Sequence, residues 1–316
     1  MRSAERRGVA LMLVLWLIVV VGAVAASVVT LSRRTTDQVA TIRSRTVARY
    51  AAESGVAAAS VQLERMYREA RTPEERATVF ARFQARLDRA GAQALGTARY
   101  QLAAADLNAR IDLNRSDRAM LLGLFAHFFG PREAERLAEA LRDWTDSDEV
   151  PSPYGGEAPE YLQAGSPFYP PNRPLLRLDE LTRILGFTDS IADVLAPYIT
   201  IHGDGRVNVN SAPFPVLAAV PELGASGAEL LVGRRERGEF FGSLFAVRDV
   251  MFHDRPGQSF QPGHLTTLPT RILIVSRGWE DGAPLTHEIQ AVFELGAVES
   301  EGGPPLEIRF WTERDL

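Results

Sequence analysis

Six acidic residues crowd one short segment of the chain and could hold a metal ion. They are Asp143, Asp146, Asp148, Glu149, Glu157 and Glu160, with serine, proline and glycine residues between them. Carboxylate oxygens are hard ligands, and turns rich in small residues let backbone carbonyls join them, which is the donor set that calcium prefers. The segment therefore indicates a calcium loop. The alternative is a solvated acidic loop that binds nothing.

Catalytic chemistry finds little support in the sequence. The absence of cysteine excludes disulfides, thiolate metal sites and a cysteine nucleophile. Neither a P-loop nor the Gly-rich or nucleophile-elbow motifs of common enzymes occur, and a net charge of −5 argues against bulk affinity for nucleic acid. The histidines show no metal-site spacing; they are His127, His202, His253, His264 and His287. The sequence predicts a protein that is not an enzyme.

The N-terminal residues suggest proteolytic processing. Arg6, Arg7 and Gly8 directly precede residues 9–32, a stretch without a charged side chain. As a helix it would be about 36 Å long, enough to cross a bilayer core of about 30 Å. Three interpretations are open: a secretory signal cut near Ala25, a plain membrane anchor, and a prepilin leader cut between Gly8 and Val9. Arginines on both sides of the stretch leave the membrane orientation undecided.

The pattern of the remaining chain predicts the elements that position these residues. No proline precedes Pro73, so we predict one very long helix, then a second that ends near Ala90. Residues 97–114 indicate a strand pair with a turn near 106–108, and the segments 271–277, 286–295 and 306–312 alternate as strands do. Helices are predicted from residue 118 and at 131–143, 178–185, 190–195, 213–220 and 226–237.

A five-residue pattern occurs twice within the helical block. Residues 110–114 are Arg-Ile-Asp-Leu-Asn, and residues 206–210 are Arg-Val-Asn-Val-Asn. Internal duplication would produce this match, and so would two ordinary strand ends whose asparagines cap the next helix. The second copy leads into a helix, turn and helix around Gly224, as in helix-hairpin-helix units that hold DNA phosphates. Glu222 stands where a phosphate-facing glycine is wanted, which favours a packing module.

These features, in this order, resemble the type II secretion system protein K family. The features are the junction at Arg7 and Gly8, the Ala-Ala-Glu-Ser-Gly run at 51–55, the Arg-Val-Asn-Val-Asn-Ser-Ala run at 206–212, and late strands that end in Phe310 and Trp311. The resemblance covers essentially the whole chain. It implies an α+β, pilin-like fold: a long N-terminal transmembrane helix on a small antiparallel sheet, with a large inserted all-α domain that contains helix-hairpin-helix-like elements.

The resemblance, together with the segmentation above, divides the chain into five parts. Residues 1–8 are the prepilin leader, 9–32 the transmembrane part of the helix, and 33–112 the first part of the pilin-like domain. Residues 113–266 form the inserted helical domain, and residues 267–316 supply the C-terminal strands. An inserted-domain calcium site is also implied, although no rigid motif identifies its ligands.

The function implied by the resemblance is mechanical. The protein would be a minor pseudopilin at the tip of the pseudopilus, where it initiates or caps assembly and supports export across the outer membrane. The implied partners are other minor pseudopilins, the major pseudopilin and a prepilin peptidase that cleaves before Val9 and methylates it, with no nucleic acid. The chain would cross the bacterial inner membrane once, with its soluble domain in the periplasm.

Leu13 gives the tip position a physical reason. It occupies the fifth mature position, where most pilin-like proteins have a glutamate. A carboxylate without a partner is costly in lipid, so a subunit with no neighbour above it gains by lacking one. Two alternatives remain: a minor pilin-like component of a type IV pilus or DNA-uptake machine, and a periplasmic calcium-binding interaction protein whose signal is removed near Ala25.

Overall fold

The computed structural model describes residues 2–252, 260, 262–296 and 305–316, without the side chains of residues 2–11, 29 and 31–37. The chain begins with α1 (Arg2–Glu69), an uninterrupted helix of 68 residues, so the very long helix is confirmed. Thr72 then caps α2 (Pro73–Ala90): its hydroxyl accepts the Glu75 N–H at 3.1 Å, and Glu75 reaches back to the Thr72 N–H. This capping box defines where the chain reverses.

Among the described residues, no helix combines the length and low polarity that a membrane crossing requires. The span predicted at 9–32 includes residues whose side chains lie outside the description, and it stays a prediction. Gly8 and Val9 lie in helical backbone, while their side chains are also outside the described part. The Leu13 side chain is described, and it is 63% exposed.

Five antiparallel strands form the main sheet, which packs against α1. In sequence they are β1 (Gln93–Leu95), β2 (Ala98–Asp106), β7 (Arg271–Glu280), β8 (Thr286–Leu295) and β9 (Leu306–Asp315), and this is also their spatial order. The register of β2 and β7 runs from Ala98 opposite Glu280 to Asp106 opposite Ile272. The three late strands are confirmed, and β7 and β9 are each three residues longer than predicted.

The strand pair predicted at 97–114 is wrong. The hairpin partner of β2 precedes it, as β1, and β2 ends because the Asp106 carboxylate accepts the Asn108 N–H at 2.8 Å and starts a 3₁₀ turn at Leu107–Ala109. The next strand, β3 (Ile111–Asp112), pairs instead with β4 (Ile199–Thr200), in parallel.

Small residues bring α1 and β7 into backbone contact. A Cβ atom on Gly278 of β7 would lie 2.2 Å from the Ala48 carbonyl oxygen and 2.4 Å from the Ala52 nitrogen of α1. A Cβ atom on Gly55 of α1 would lie 2.3 Å from the Ser276 hydroxyl oxygen. All three distances are below any normal contact, so these glycines determine how closely the helix lies on the sheet.

The chain between β2 and β7 forms a helical block with a hydrophobic core of its own, separate from the core between α1, α2 and the sheet. The predicted helices are confirmed, although 178–185 is a shorter 3₁₀ segment, Leu178–Arg183. The α-helices are α3 (Arg118–Phe129), α4 (Pro131–Thr145), α5 (Ala158–Gln163), α6 (Asp189–Leu195), α7 (Phe214–Ala218), α8 (Gly224–Glu236) and α9 (Leu244–Met251). One more parallel pair joins β5 (Val207–Asn208) to β6 (Leu265–Thr266).

The two copies of the repeated pattern make the same hydrogen bonds. Asn114 accepts the Leu175 N–H at 2.8 Å and donates to the Leu175 carbonyl at 3.0 Å. Asn210 accepts the Phe241 N–H at 2.8 Å and donates to the Phe241 carbonyl at 2.9 Å. In each copy a two-residue parallel strand pair stands before the asparagine and a helix pair follows it. This shared pattern supports internal duplication.

The copies differ mainly in length. The asparagine and its partner are 61 residues apart in the first copy and 31 apart in the second, so the first copy is 30 residues longer. Most of the additional residues lie between the end of α4 and Leu175, in the segment that carries most of the predicted acidic cluster. The acidic loop is therefore an extension of the first copy that the second copy lacks.

Candidate functional site

Three of the predicted carboxylates meet at one point. Asp146 and Asp148 lie just after α4, and Glu157 directly precedes α5. One carboxylate oxygen from each lies within 4.8 Å of the other two, and this is the one such acidic group found in the part of the chain that the structure describes. The turn between the two helices thus brings together residues that are eleven positions apart.

The electrostatics of this group favour a bound cation. Glu157 is only 4% exposed, and its Oε1 atom has no hydrogen-bond partner among the described residues; the same holds for the Oδ1 atom of Asp146. Burial, and then the neighbouring carboxylates led by Asp143, raise the pKa of Glu157 to about 7. Buried oxygens without partners are rare in proteins, so the arrangement leaves room for an ion.

The other three predicted ligands have different roles. Asp143 is fully buried, and its two oxygens accept the hydroxyl and the N–H of Ser152 at 2.6 and 2.8 Å. Glu160 accepts the Glu157 N–H at 2.9 Å. Glu149 is exposed and lies outside the group. Asp143 and Glu160 therefore shape the loop that presents the three converging carboxylates.

Asn172 is a candidate that the sequence reasoning missed. Its amide nitrogen donates to the Asp148 carbonyl at 2.9 Å, while its Oδ1 atom is buried without a partner among the described residues. Its backbone has a φ of 50°, a left-handed conformation that asparagine tolerates better than most residues. An amide oxygen is a normal calcium ligand. The only signal in the sequence is an asparagine after two prolines, and a calcium loop predicted from acidic residues alone does not include it.

The donor set fits calcium better than zinc. All candidate ligands are oxygens, and neither cysteine nor histidine takes part. Calcium takes six to eight oxygen ligands, so backbone carbonyls and water would complete the shell around the three carboxylates. Such a site would hold the loop between α4 and α5 in one conformation. The role of the ion would be structural.

A second polar cluster joins the sheet to the helical block. The Asp106 carboxylate, at the end of β2, accepts hydrogen bonds from the Asn208 amide at 2.8 Å and the Ser211 hydroxyl at 2.5 Å. Asn108 donates to the Asp204 carboxylate at 2.7 Å and accepts the Thr270 N–H at 2.8 Å. Burial raises the pKa of Asp106 to about 6, despite these bonds.

The described histidines are scattered, as the sequence predicts. His264 bonds to Glu222 at 2.8 Å, so the acidic residue of the α7–α8 turn is engaged within the chain. His253 lies outside the described residues. The other contacts are edge-on packing of His127 on Phe128, stacking of His202 on Phe310, and bonds from His287 to Glu313 and Asp315.

Comparison with known proteins covers the first copy of the repeat. Residues 98–204 match the family described as Type II secretion system (T2SS), protein K. Proteins named type II secretion system protein K from Dickeya chrysanthemi and Pseudomonas aeruginosa are 30% and 34% identical over 112 and 106 residues, each about 33% of this chain. These alignments cover 30% and 32% of the two relatives. The chain thus spans about a third of the length of the curated relatives it matches.

The fold comparison reaches further along the chain. A chain of the GspK-GspI-GspJ complex from the enterotoxigenic Escherichia coli type 2 secretion system superposes with a TM-score of 0.59 and 15% identity. The match covers 89% of this chain and 99% of the other, and at this identity it shows a shared fold. Together these findings confirm the resemblance: residues 98–204 match the type II secretion system protein K family, and most of the chain shares the fold of a protein from that system's GspK-GspI-GspJ complex.

Proposed function

We propose that the chain is a minor pseudopilin of a type II secretion system, which assembles with other minor pseudopilins and supports protein export. The observation that carries the proposal is the family match over 98–204, in a chain of which 89% shares the fold of a protein solved in a GspK-GspI-GspJ complex. The work of such a protein is assembly, so the absence of catalytic motifs from the sequence is compatible with it. The major pseudopilin would be the next partner below it.

The pilin-like division of the chain is part of the proposal. We assign α1, α2 and the five-stranded sheet to the pilin-like domain and residues 113–266 to the insertion. The direct pairing of β2 with β7 supports this division, because the chain leaves the sheet at the end of β2 and re-enters it at the start of β7. The residues between these strands are therefore an insertion. The separate hydrophobic core of the helical block supports it as well.

We further propose that residues 9–32 anchor the protein in the inner membrane, with the folded part in the periplasm. The stretch has no charged residue, and its described side chains are mostly apolar and largely exposed; Trp16, for example, is 67% exposed. The hydroxyls of Ser27 and Thr30 bond to helix carbonyls four residues earlier. Lipid would cover the exposed apolar side chains, which water does not favour. Leu13, in place of a glutamate, supports a position at the tip of the pseudopilus, since no subunit above it would supply a partner for a charge.

Calcium is the proposed ligand of the inserted domain. Asp146, Asp148 and Glu157 would bind it, with the Asn172 amide oxygen as a further candidate. The ion would neutralise three crowded carboxylates and hold the loop after α4 in one conformation. The proposed role is to stabilise the part of the molecule that distinguishes the first repeat from the second.

The mature N-terminus tests the proposed function most directly. The full chain would be expressed in a host with a type II secretion system and its peptidase, purified from the membrane, and examined by mass spectrometry. A methylated Val9 at the terminus is the expected result, and a bulky substitution such as Gly8→Leu should block cleavage. An N-terminus at Ala26, or an uncleaved chain beginning at Met1, would contradict the proposal.

A further inference from the structure

An open cleft of about 630 Å³ lies between the helical block and the sheet face that is turned away from α1. Phe310 of β9 forms its apolar floor, while its neighbour Val292 on β8 is almost fully buried, and the exposed side chain of Leu176 lines the opposite side. The His202 ring stacks on the Phe310 ring at 4.3 Å between centroids, which joins the two walls. The cleft therefore combines an apolar floor with an edge at which the helical block contacts the sheet.

The carboxylates that line this cleft are all neutralised within the chain. Each one forms an ion pair with at least one arginine. The pairs are Glu288 with Arg277 and Arg314, Asp179 with Arg177, and Glu313 with Arg49. Because these charges cancel, the cleft has no carboxylate available for a further cation.

Arg110 is the exception among the charged residues of the cleft. Its guanidinium group is half-buried and has no hydrogen-bond or ion-pair partner among the described residues, and burial lowers its pKa. Its counterpart in the second repeat, Arg206, pairs with the Asp204 carboxylate two residues earlier, at 2.8 Å. The residue two positions before Arg110 is Asn108, which is neutral and bonds to Asp204 and Thr270 instead.

The repeat therefore shows what Arg110 lacks. An arginine in this position binds a carboxylate in the second copy, whereas the first copy has the arginine and an asparagine in place of that carboxylate. A half-buried guanidinium without a partner is unfavourable, whereas a planar, bidentate pair with a carboxylate is among the stronger polar contacts in proteins. The excess charge in the cleft is positive, and its complement is an anion.

We propose that this cleft binds an extended segment of a partner protein, which places an aspartate or glutamate side chain on Arg110 and an apolar side chain against Phe310 and Leu176. The Arg110 guanidinium, which has no partner among the described residues, favours an acidic side chain in the bound segment. The apolar floor of the cleft favours an apolar side chain next to it. The proposal goes beyond the function given above, since it assigns a recognition site that does not depend on N-terminal processing or on a position at the tip.

Peptide binding tests the proposal on the full chain in phosphatidylcholine nanodiscs. The probe is a fluorescent decapeptide of alternating leucine and aspartate, with acetylated and amidated ends so that only side-chain carboxylates count; its twin has asparagine for aspartate. We expect the acidic probe to bind at least tenfold more tightly than its twin. Arg110→Gln should abolish this preference, and Arg132→Gln, at an exposed arginine of α4, should keep it. Equal affinities in the unmodified chain, or a preference that survives Arg110→Gln, would overturn the proposal.

Thermal unfolding separates recognition from a structural role. If Arg110 has no partner in the free protein, Arg110→Met should leave the Tm unchanged or raise it, because it removes an unpaired charge. Arg206→Met should lower the Tm, because it leaves the mostly buried Asp204 without its arginine. A clear fall in Tm for Arg110→Met would show that Arg110 already has a stabilising partner, and would refute the proposal. Neither result would alter the N-terminal processing, which is tested independently.

Discussion

Asp143 and Asp146 lie three residues apart, yet they have different roles in the loop after α4. Asp143 is fully buried and both of its oxygens bind Ser152. Asp146 keeps one oxygen without a partner among the described residues, beside Asp148 and Glu157. The sequence indicated an acidic segment, but only the fold decides which carboxylates are used by internal hydrogen bonds. Asn172 was missed for the same reason, since its contact with Asp148 depends on how the loop returns.

Calcium dependence can be tested with substitutions in this loop. We expect calcium to raise the Tm of the metal-stripped full chain, and Asp146→Asn combined with Glu157→Gln to abolish most of that rise, because both changes remove charge from the proposed ligands. Glu149→Gln is the matched control: it removes one acidic charge from the same loop at an exposed residue outside the group. Differential scanning calorimetry with calcium and with a chelator would measure the shift. The absence of any calcium-dependent shift in the unmodified chain would contradict the site.

At the scale of elements, the sequence predicts long and strongly patterned segments well. The absence of proline before Pro73 indicated α1, and the Thr72 to Glu75 spacing is the signature of the capping box that begins α2. The short strands β4 and β6 were not predicted, because two residues are too few to show a period. β3 and β5 lie in the repeated pattern, where strand ends were one interpretation, but their partners were not foreseen. Their partners are also distant in sequence: Ile111 pairs with Ile199. Only the repeated pattern hinted that both places have the same structure.

Two glycines with opposite surroundings test the contact between α1 and the sheet. Gly278→Ala should destabilise the protein by about 1–3 kcal/mol or more, because the new methyl group would meet the α1 backbone at Ala48 and Ala52. Gly233→Ala in α8 should stabilise it by up to about 1 kcal/mol, because its nearest neighbour, an Arg237 nitrogen, is 3.9 Å away and alanine favours the helix. Chemical denaturation of both variants would show the difference. Equal effects would mean that α1 does not lie so close to β7.

At the scale of the molecule, the two hydrophobic cores meet at a polar junction centred on Asp106 and Asn108. Asp106 is 5% exposed and binds Asn208 and Ser211 of the second repeat. Directional bonds of this kind fix the orientation of the helical block in a way that apolar contact alone does not. The sequence indicated a turn here, but it could not show that residues about 100 positions apart share one carboxylate.

The pH dependence of stability should reveal this carboxylate. Because the pKa of Asp106 rises from 3.8 to about 6 on burial, the folded protein binds a proton more tightly than the unfolded chain between these values. The contribution of Asp106 to the free energy of unfolding is therefore greatest at low pH and declines as the pH rises from about 4 to about 6. In Asp106→Asn the side chain cannot titrate. Its amide nitrogen, a hydrogen-bond donor, would face the Asn208 and Ser211 groups that donate to Asp106.

We expect Asp106→Asn to lower the free energy of unfolding by about 1–3 kcal/mol near pH 4.5, with a smaller deficit near pH 7. Urea unfolding of both proteins across this range would measure the deficit, and other titrating groups, such as Glu157, cancel in the comparison. Ser211→Ala is the control, since it removes one bond to Asp106 and keeps the titrating group. A deficit that stays constant or grows with pH would exclude Asp106 as the source.

The pairing of β2 with β7 also governs the order in which the chain can fold. Asp106 and Ile272 are paired in the sheet, although the ribosome synthesises Asp106 long before Ile272. Until β7 and β8 emerge, only α2 and β2 can cover part of the sheet side of α1. Closing the long loop between β2 and β7 also carries an entropic cost. The helical block has its own core and ends where Asn108 accepts the N–H groups of Thr270 and Arg271. A helical block that folded before the sheet would bring the two strands together, and the insertion would then act as an internal template for the sheet that surrounds it.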